Sequence, residues 1–437
     1  MLKEAFLRRM KDILNDEYEA FLKSYDDPSM RAIRINKEKI SVSDFLKINP
    51  FKVEKINLRD DCFYLKTDEK IGRHPIHHSG MVYLQDPSAM LPAYAIDFDN
   101  GIRILDLCAA PGGKTGQLAS LNDEGIVIAN EINKARSKIL FSNIERLGYK
   151  NVIITSASAS DLKKRLTGFF DLILIDAPCS GEGMFRKDPV ALDEWSEDLV
   201  YLNSKRQKEI IDDALSMLKA DGILIYSTCT FSPLENEDII KYIMDNYSFE
   251  ILKPNDEVLK LTKPYTLEYG RRSYPHINNG EGQFLCVLKK KSIIDALYRI
   301  NKPKSNTNKI VLDFIDKYLD NPKMNIRMYN NRYYHVPCDI NLDGIDVVSY
   351  GVCLGEVIKD RFVPHHNFFT AFGKNFKNQV DLSIDDDRLA KYLRGEEINY
   401  PCPDGFGVIM VSGAPLGGFK AKSGVLKNYY PKGLRNF

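Results

Sequence analysis

Between about residues 101 and 289, short runs of branched apolar residues alternate with longer stretches in which apolar positions recur every three or four residues. The short runs fall at 102–105, 126–129, 152–155, 172–175, 223–226, 249–252 and 284–288. Runs of this length, apolar at successive positions and bounded by turn residues, predict strands covered on both faces. The intervening amphipathic stretches at 134–147, 203–219 and 235–246 predict helices. Strand and helix in alternation give a doubly wound α/β domain with a mostly parallel sheet, and seven strands in this layout suit a Rossmann-like core. The first thirty or so residues carry a helical pattern (Phe6, Met10, Ile13, Leu14, Phe21), and residues 31–80 read as a small α+β unit. After the core, Lys289-Lys290-Lys291 and the polar stretch 301–306 read as a linker. Short β-like segments at 332–336 and 408–411 and glycines near the end complete the pattern.

The chain has 437 residues, too many for one ordinary core, so two or three domains are expected. With 44% hydrophobic and 28% charged residues it falls in the globular class. Sixty-one Lys and Arg against 60 Asp and Glu leave a net charge of +1, so a polyanion must find a local basic face. The N-terminal pattern lacks the apolar core of a signal peptide, and no stretch approaches the ~18 apolar residues of a membrane span. A cytoplasmic protein is expected. The eight cysteines contain no Cys-x-x-Cys pair, which argues against a zinc site and a disulfide scaffold. The pairs His77-His78 and His365-His366 offer no third ligand, and no metal is expected.

Chemistry concentrates at the ends of the apolar runs, where open α/β sheets bind ligands. The first run leads into Asp106, Leu107, Cys108, Ala109, Ala110, Pro111, Gly112, Gly113, Lys114 and Thr115, a glycine-rich turn before a helix. Gly113-Lys114-Thr115 imitates the end of a phosphate-binding loop, and Asp176 imitates its magnesium-holding acid. The first glycine of that motif is replaced by Cys108, however, and Pro111 lacks a backbone donor. Glu131 closes the second strand at the spacing of an acid that binds ribose hydroxyls, and a carboxylate there repels phosphate. A ribose diol, no phosphate and a positive centre near Asp106 or Asp176 describe S-adenosylmethionine.

Two further strands run into Asp176-Ala177-Pro178-Cys179-Ser180-Gly181 and Ser227-Thr228-Cys229-Thr230. A methyl donor beside thiols selects a carbon nucleophile: C5 of a pyrimidine attacks a methyl group once a thiolate has added at C6. A base must then take the C5 proton so that the thiol can leave. One cysteine attacks and the other assists release, and either assignment satisfies the chemistry.

The segments Asp106 to Thr115, Asp176 to Lys187 and Tyr226 to Glu237 resemble, in order, the signature motifs of the NOL/NOP/Sun family of RNA cytosine-5 methyltransferases. Gln85-Asp86-Pro87-Ser88-Ala89-Met90 is similar to the segment before the family's cofactor motif, and the last twenty-odd residues resemble the tail of its bacterial RsmF-type members, which modify small-subunit ribosomal RNA. The resemblance implies that Cys229 is the nucleophile, that Cys179 assists release, and that Asp176 contacts the cytosine edge and lies near the sulfonium. It further implies that Glu131 binds the ribose, that Lys114 and the backbone from Cys108 hold the methionine end, and that Arg136 is a ligand. Where many members carry an adenine-binding Asp, this chain has Thr155 to Asp161, leaving Ser158, Asp161 or main chain for that contact. The other cysteines, Cys108 included, read as packing, and Asp86 reads equally as a turn former or as a support of the site.

In the tail, Lys420, Lys422, Lys427, Lys432 and Arg435 interleave with Phe419, Tyr429 and Tyr430, a composition suited to RNA. The expected organisation is an N-terminal RNA-binding α+β extension (1–84), a catalytic core (85–291) and a C-terminal RNA-binding region with a PUA-like tail (292–437). The expected protein is a monomeric enzyme acting on 16S ribosomal RNA, naked or in the small subunit, with transfer RNA or a non-catalytic assembly role as alternatives.

Overall fold

A computed structural model describes residues 2–67, 69–291 and 308–435. The polar stretch 301–306 lies outside the described residues. The core strands are β1 (Arg103–Asp106), β2 (Ile126–Asn130), β3 (Val152–Thr155), β4 (Phe170–Asp176), β5 (Leu218–Thr228), β6 (Phe249–Leu252) and β7 (Gln283–Lys290). Their helices include α1 (Gly113–Leu121), α2 (Lys134–Leu147), α3 (Ala159–Leu166), α4 (Glu197–Met217) and α5 (Glu237–Asn246). The strands lie in the order β7-β5-β4-β1-β2-β3, parallel from β5 to β3, with β7 antiparallel to β5 and β6 antiparallel to β7. This is the doubly wound sheet that the alternation of periods predicts.

Burial explains the unbroken apolar runs. In β4, Leu172 and Leu174 enter one hydrophobic core while Ile173 and Ile175 enter the core on the opposite face. A strand sandwiched in this way has no polar side to alternate with. Helix α4 begins at 197, six residues before the expected 203, because Ser196 caps it by accepting a hydrogen bond from the Leu199 amide. Helix α5 begins at 237, two residues later than expected, after a 3-10 turn at Pro233–Glu235.

The N-terminal part holds a four-stranded antiparallel sheet and the helices Glu4–Leu14 and Tyr18–Lys23, which pack on Phe185, Trp195, Phe231 and Tyr274 of the core. The C-terminal region forms a four-stranded and a five-stranded sheet, and its strand Val347–Ser349 extends the core sheet by pairing with β3. That pairing joins residues almost two hundred positions apart, and no local pattern announces it.

Two of the three tail aromatics, Phe419 and Tyr430, differ from their expected role, while Tyr429 is half-buried. Phe419 and Tyr430 are buried with Ile33, Ile35 and Val82 of the N-terminal sheet and with Phe45 of the helix Val42–Ile48, so they cannot stack on RNA bases. On the strand Ala414–Lys422, Phe419 and Ala421 point inward while Lys420 and Lys422 remain exposed. Only the cations are available to phosphate. Phe419→Ala is therefore expected to lower unfolding stability by about 3–5 kcal/mol through cavity formation; a chemical denaturation curve within ~1 kcal/mol of wild type would show the ring to be dispensable to the core.

The histidine pairs likewise occupy helical rather than strand positions, His77 and His78 on Pro75–His78 and His366 opening His366–Phe372. They pack: His78 Nδ1 lies 2.8 Å from the Tyr430 hydroxyl, and burial pushes His77 and His366 down to about 3. Among the described residues, no cluster of His, Cys, Asp or Glu could hold a metal ion, and no helix is long and apolar enough to cross a membrane.

Candidate active site

The carboxyl ends of β4 and β5 are nearly level, because Asp176 pairs in register with Ser227, and β1 ends two residues lower, with Asp106 opposite Leu174. The loops that follow therefore open on one cleft of about 750 Å³. It is lined by Cys108, Ala110, Glu131, Arg136, Asp176, Cys179 and Cys229 among others. The site residues expected from three separate segments thus meet in one place.

On the β1 side, Gly112 precedes α1 at φ 109°, a left-handed conformation that glycine adopts without strain. Arg136 spans the turn: its Nη2 donates to the Ala110 carbonyl at 2.9 Å, and its Nη1 lies 3.4 Å from Glu131 Oε2. The Glu131 carboxylate, 5% exposed, also accepts from the Asn133 amide at 2.9 Å, which fixes its direction at the cleft wall. Ile132 beside it is 55% exposed, an apolar surface at the rim of an otherwise polar wall. Asp106 lies deeper, where burial pushes its carboxyl up to about 7 although the Thr115 hydroxyl, at 2.6 Å, favours the anion. Its second oxygen, Oδ1, has no protein partner.

On the β4–β5 side the two thiols face each other, Cys179 Sγ and Cys229 Sγ being 3.3 Å apart. The Cys229 thiol, ahead of burial, pushes Cys179 well above the ordinary thiol range. Asp176 accepts from Lys114 Nζ at 2.7 Å, Ser227 Oγ at 2.7 Å and Gln283 Nε2 at 2.9 Å. Three donors from three elements hold this carboxylate at the cleft.

Several expected ligands take other places. Lys114 points to Asp176 and, like Ala109, Pro111, Gly112 and Gly113, does not line the cleft. The Ala109 amide donates to the Asn130 carbonyl, and the Pro111 carbonyl accepts from Asn143, so these residues shape the turn. Ser158 lines the cleft together with the main chain around it, whereas Asp161 is occupied by Ser158 and Lys164. Cys108, read as packing, is part of the cleft wall. Asp86 accepts from the amides of Ser88 and Glu281, a structural tie between segments. Arg206, Glu209, Ile210 and Asp213 form a wall that the motifs did not indicate. Their spacing on α4, at i, i+3, i+4 and i+7, is one helical face, the signal by which the wall is legible.

Four family models match the chain in succession: the N-terminal domain of 16S rRNA methyltransferase RsmF over 2–87, 16S rRNA methyltransferase RsmB/F over 93–289, the RsmF rRNA methyltransferase first C-terminal domain over 313–372 and the methyltransferase RsmF PUA domain over 365–436. The chain belongs to the RsmB/F family. Ribosomal RNA small subunit methyltransferase F of Escherichia coli is 37% identical over 308 residues, spanning 67% of this chain and 64% of that protein. Its counterpart in Shigella dysenteriae is 36% identical over the same length. The chain thus spans somewhat less than two thirds of the curated relatives it matches. Among solved structures, a methyltransferase homolog from Pyrococcus horikoshii is 28% identical with a TM-score of 0.56, covering 66% of this chain and 95% of that one. The fold is that of a Rossmann-like methyltransferase core followed by a PUA-like region.

Proposed function

We propose that this RsmB/F-family chain methylates C5 of cytosine in RNA, with 16S ribosomal RNA as substrate and S-adenosylmethionine as donor. The observation that carries the reading is the pair of thiols 3.3 Å apart beside Asp176 in a cleft whose far wall is Glu131. Oxygen and nitrogen methylation needs at most a general base, whereas a ring carbon needs a covalent nucleophile and a group to end the adduct. The cleft suits the donor: Glu131 offers a fixed carboxylate to a diol and Ile132 an apolar face to a base. When bound, S-adenosylmethionine supplies an electrophilic methyl group.

The chain's own residues do the rest. Cys229 adds through sulfur to C6, and Asp176, held by Lys114, Ser227 and Gln283, orients the cytosine edge. Cys179 gives its own proton to N3 of the ring as Cys229 adds, and as a thiolate then takes the C5 proton. The bond from C6 to Cys229 Sγ breaks with its electron pair to restore the Cys229 thiolate, and N3 releases its proton to solvent as the methylated base leaves. The target base must leave its stack to receive a thiol at C6. Arg206, exposed on the α4 wall, would meet phosphates around it, and the exposed lysines of the tail offer further cations to the RNA. On this reading 1–84 and 292–437 are RNA-binding regions flanking the catalytic core 85–291.

Bisulfite sequencing of ribosomal RNA from cells with and without the gene tests the proposal: one or more methylcytosines in 16S RNA disappear with the gene. An unchanged map overturns the ribosomal assignment. Glu131→Ala is expected to weaken S-adenosylmethionine binding by about 10- to 100-fold, the worth of hydrogen bonds to a charged acceptor. Calorimetric titration measures this directly, and an unaltered affinity would place the ribose elsewhere.

A further inference from the structure

We propose that Glu235 is the positioning residue that ties the two thiol loops together and makes the thiols chemically unequal, by holding a carboxylate against the Cys179 loop alone. The inference rests on the methyl-transfer reading above and extends it to a side chain outside the cleft. Glu235 is fully buried beneath both loops. Its Oε1 accepts from the Ser180 amide at 2.9 Å and from Gln207 Nε2 at 3.2 Å, and its Oε2 accepts from the Ser180 hydroxyl. Gln207 in turn donates to the Pro178 carbonyl at 2.9 Å, so the residues on both sides of Cys179 are fastened to one carboxylate.

The Cys229 loop is held differently. Thr230 Oγ1 meets the Ser180 hydroxyl at 2.9 Å, and the Tyr226 hydroxyl donates to the Glu235 main-chain carbonyl at 2.7 Å. The carboxylate touches the residue after Cys179 directly but reaches the residue after Cys229 only through a serine hydroxyl. One side chain therefore sets the spacing of the thiols while presenting its charge to one of them.

The surrounding charges support this asymmetry. Cys229, Glu235 and burial all disfavour the Cys179 thiolate. Burial and Glu182 push Glu235 itself up to about 7, while Ser180 and Gln207 pull it down, so its charge develops through neutrality and is in place at pH 8. Tyr226, the other titratable group facing both Cys179 and Glu235, is pushed well up and stays neutral, as burial and the negative charges of Cys179, Glu235 and Asp176 dictate. Cys179 therefore rests protonated beside Cys229. Once ionised, Cys179 is the stronger base, as removal of a C5 proton requires.

The test uses the full-length protein with neither RNA nor cofactor, so failure to methylate RNA leaves its outcome intact. Iodoacetamide alkylation of each cysteine is followed by peptide mass spectrometry from pH 6.5 to 9.5. Glu235→Gln keeps an acceptor for the Ser180 amide and Gln207 but removes the charge. Alkylation of Cys179 at pH 8 is expected to rise by about tenfold, the effect of one unit of thiol pKa, with Cys229 unchanged within about twofold. A Cys179 profile superimposing on wild type overturns the proposal. Should Glu235→Gln lose its cooperative melting transition, Ser180→Ala serves instead, because it removes a hydrogen bond that favours the Glu235 anion. Its Cys179 rate at pH 7 should rise about two- to threefold, and a rate equal to wild type is equally fatal.

Discussion

Cys229→Ala is expected to reduce methyl transfer by at least about 10⁴-fold and to form no protein–RNA adduct, whereas Cys179→Ala is expected to form the adduct and fail to release it. The two variants differ by one sulfur at positions 3.3 Å apart, so neither steric access nor cofactor binding distinguishes them. The difference lies in when each sulfur acts. Without a thiolate at C6 the ring never acquires a nucleophilic C5, and the reaction stops before any bond forms. Without a base for the C5 proton, the methylated ring keeps its bond to Cys229, and each protein molecule turns over once at most. Denaturing electrophoresis with substrate RNA reads both results: a retarded band for Cys179→Ala and none for Cys229→Ala. The reverse pattern would exchange the roles of the two cysteines, and adducts with neither variant would remove covalent catalysis from the mechanism.

What was legible in the sequence follows from the range of each interaction. The run from Leu172 to Ile175 is apolar at every position because both faces of β4 are covered, a local signature of a buried strand. The glycine turn, Glu131 and the two cysteines are local too, each standing at a strand end. That Cys179 and Cys229 touch is not local: it depends on the register that sets Asp176 beside Ser227, and no spacing along the chain encodes it. The same holds for Lys114, whose expected task at the methionine end gives way to an ion pair with Asp176 sixty-two residues away. The buried aromatics of the tail were misread for a different reason. Composition lumps Phe419 with Lys420, whereas alternation on a strand separates them onto opposite faces. Conversely, the Arg206 to Asp213 face is helically periodic, but periodicity does not say which side of α4 meets a cleft.

Asp176→Asn is expected to lower methyl transfer by about 10²- to 10³-fold and to weaken S-adenosylmethionine binding more than binding of S-adenosylhomocysteine. The substitution is nearly isosteric, and Asn Oδ1 still accepts from Ser227 and Gln283. Its amide group, however, meets Lys114 Nζ, which was 2.7 Å from a carboxylate oxygen and is only 11% exposed as a side chain. The ammonium is then left without its counter-charge behind residue 176, close to the cleft although not lining it. A sulfonium entering there encounters net positive charge, while the neutral thioether of the product does not. At the effective dielectric of a partly buried site, unit charges a few ångströms apart interact by about 4 kcal/mol at most, and solvent reduces this. A tenfold or greater change in the ratio of the two affinities, about 1.4 kcal/mol, is a conservative expectation. Calorimetric titration of wild type and variant with both ligands measures the ratio. Equal losses for the two would mean that Asp176 acts through geometry alone, as the anchor for Ser227, Gln283 and Lys114, and not as the negative charge that balances the methyl donor.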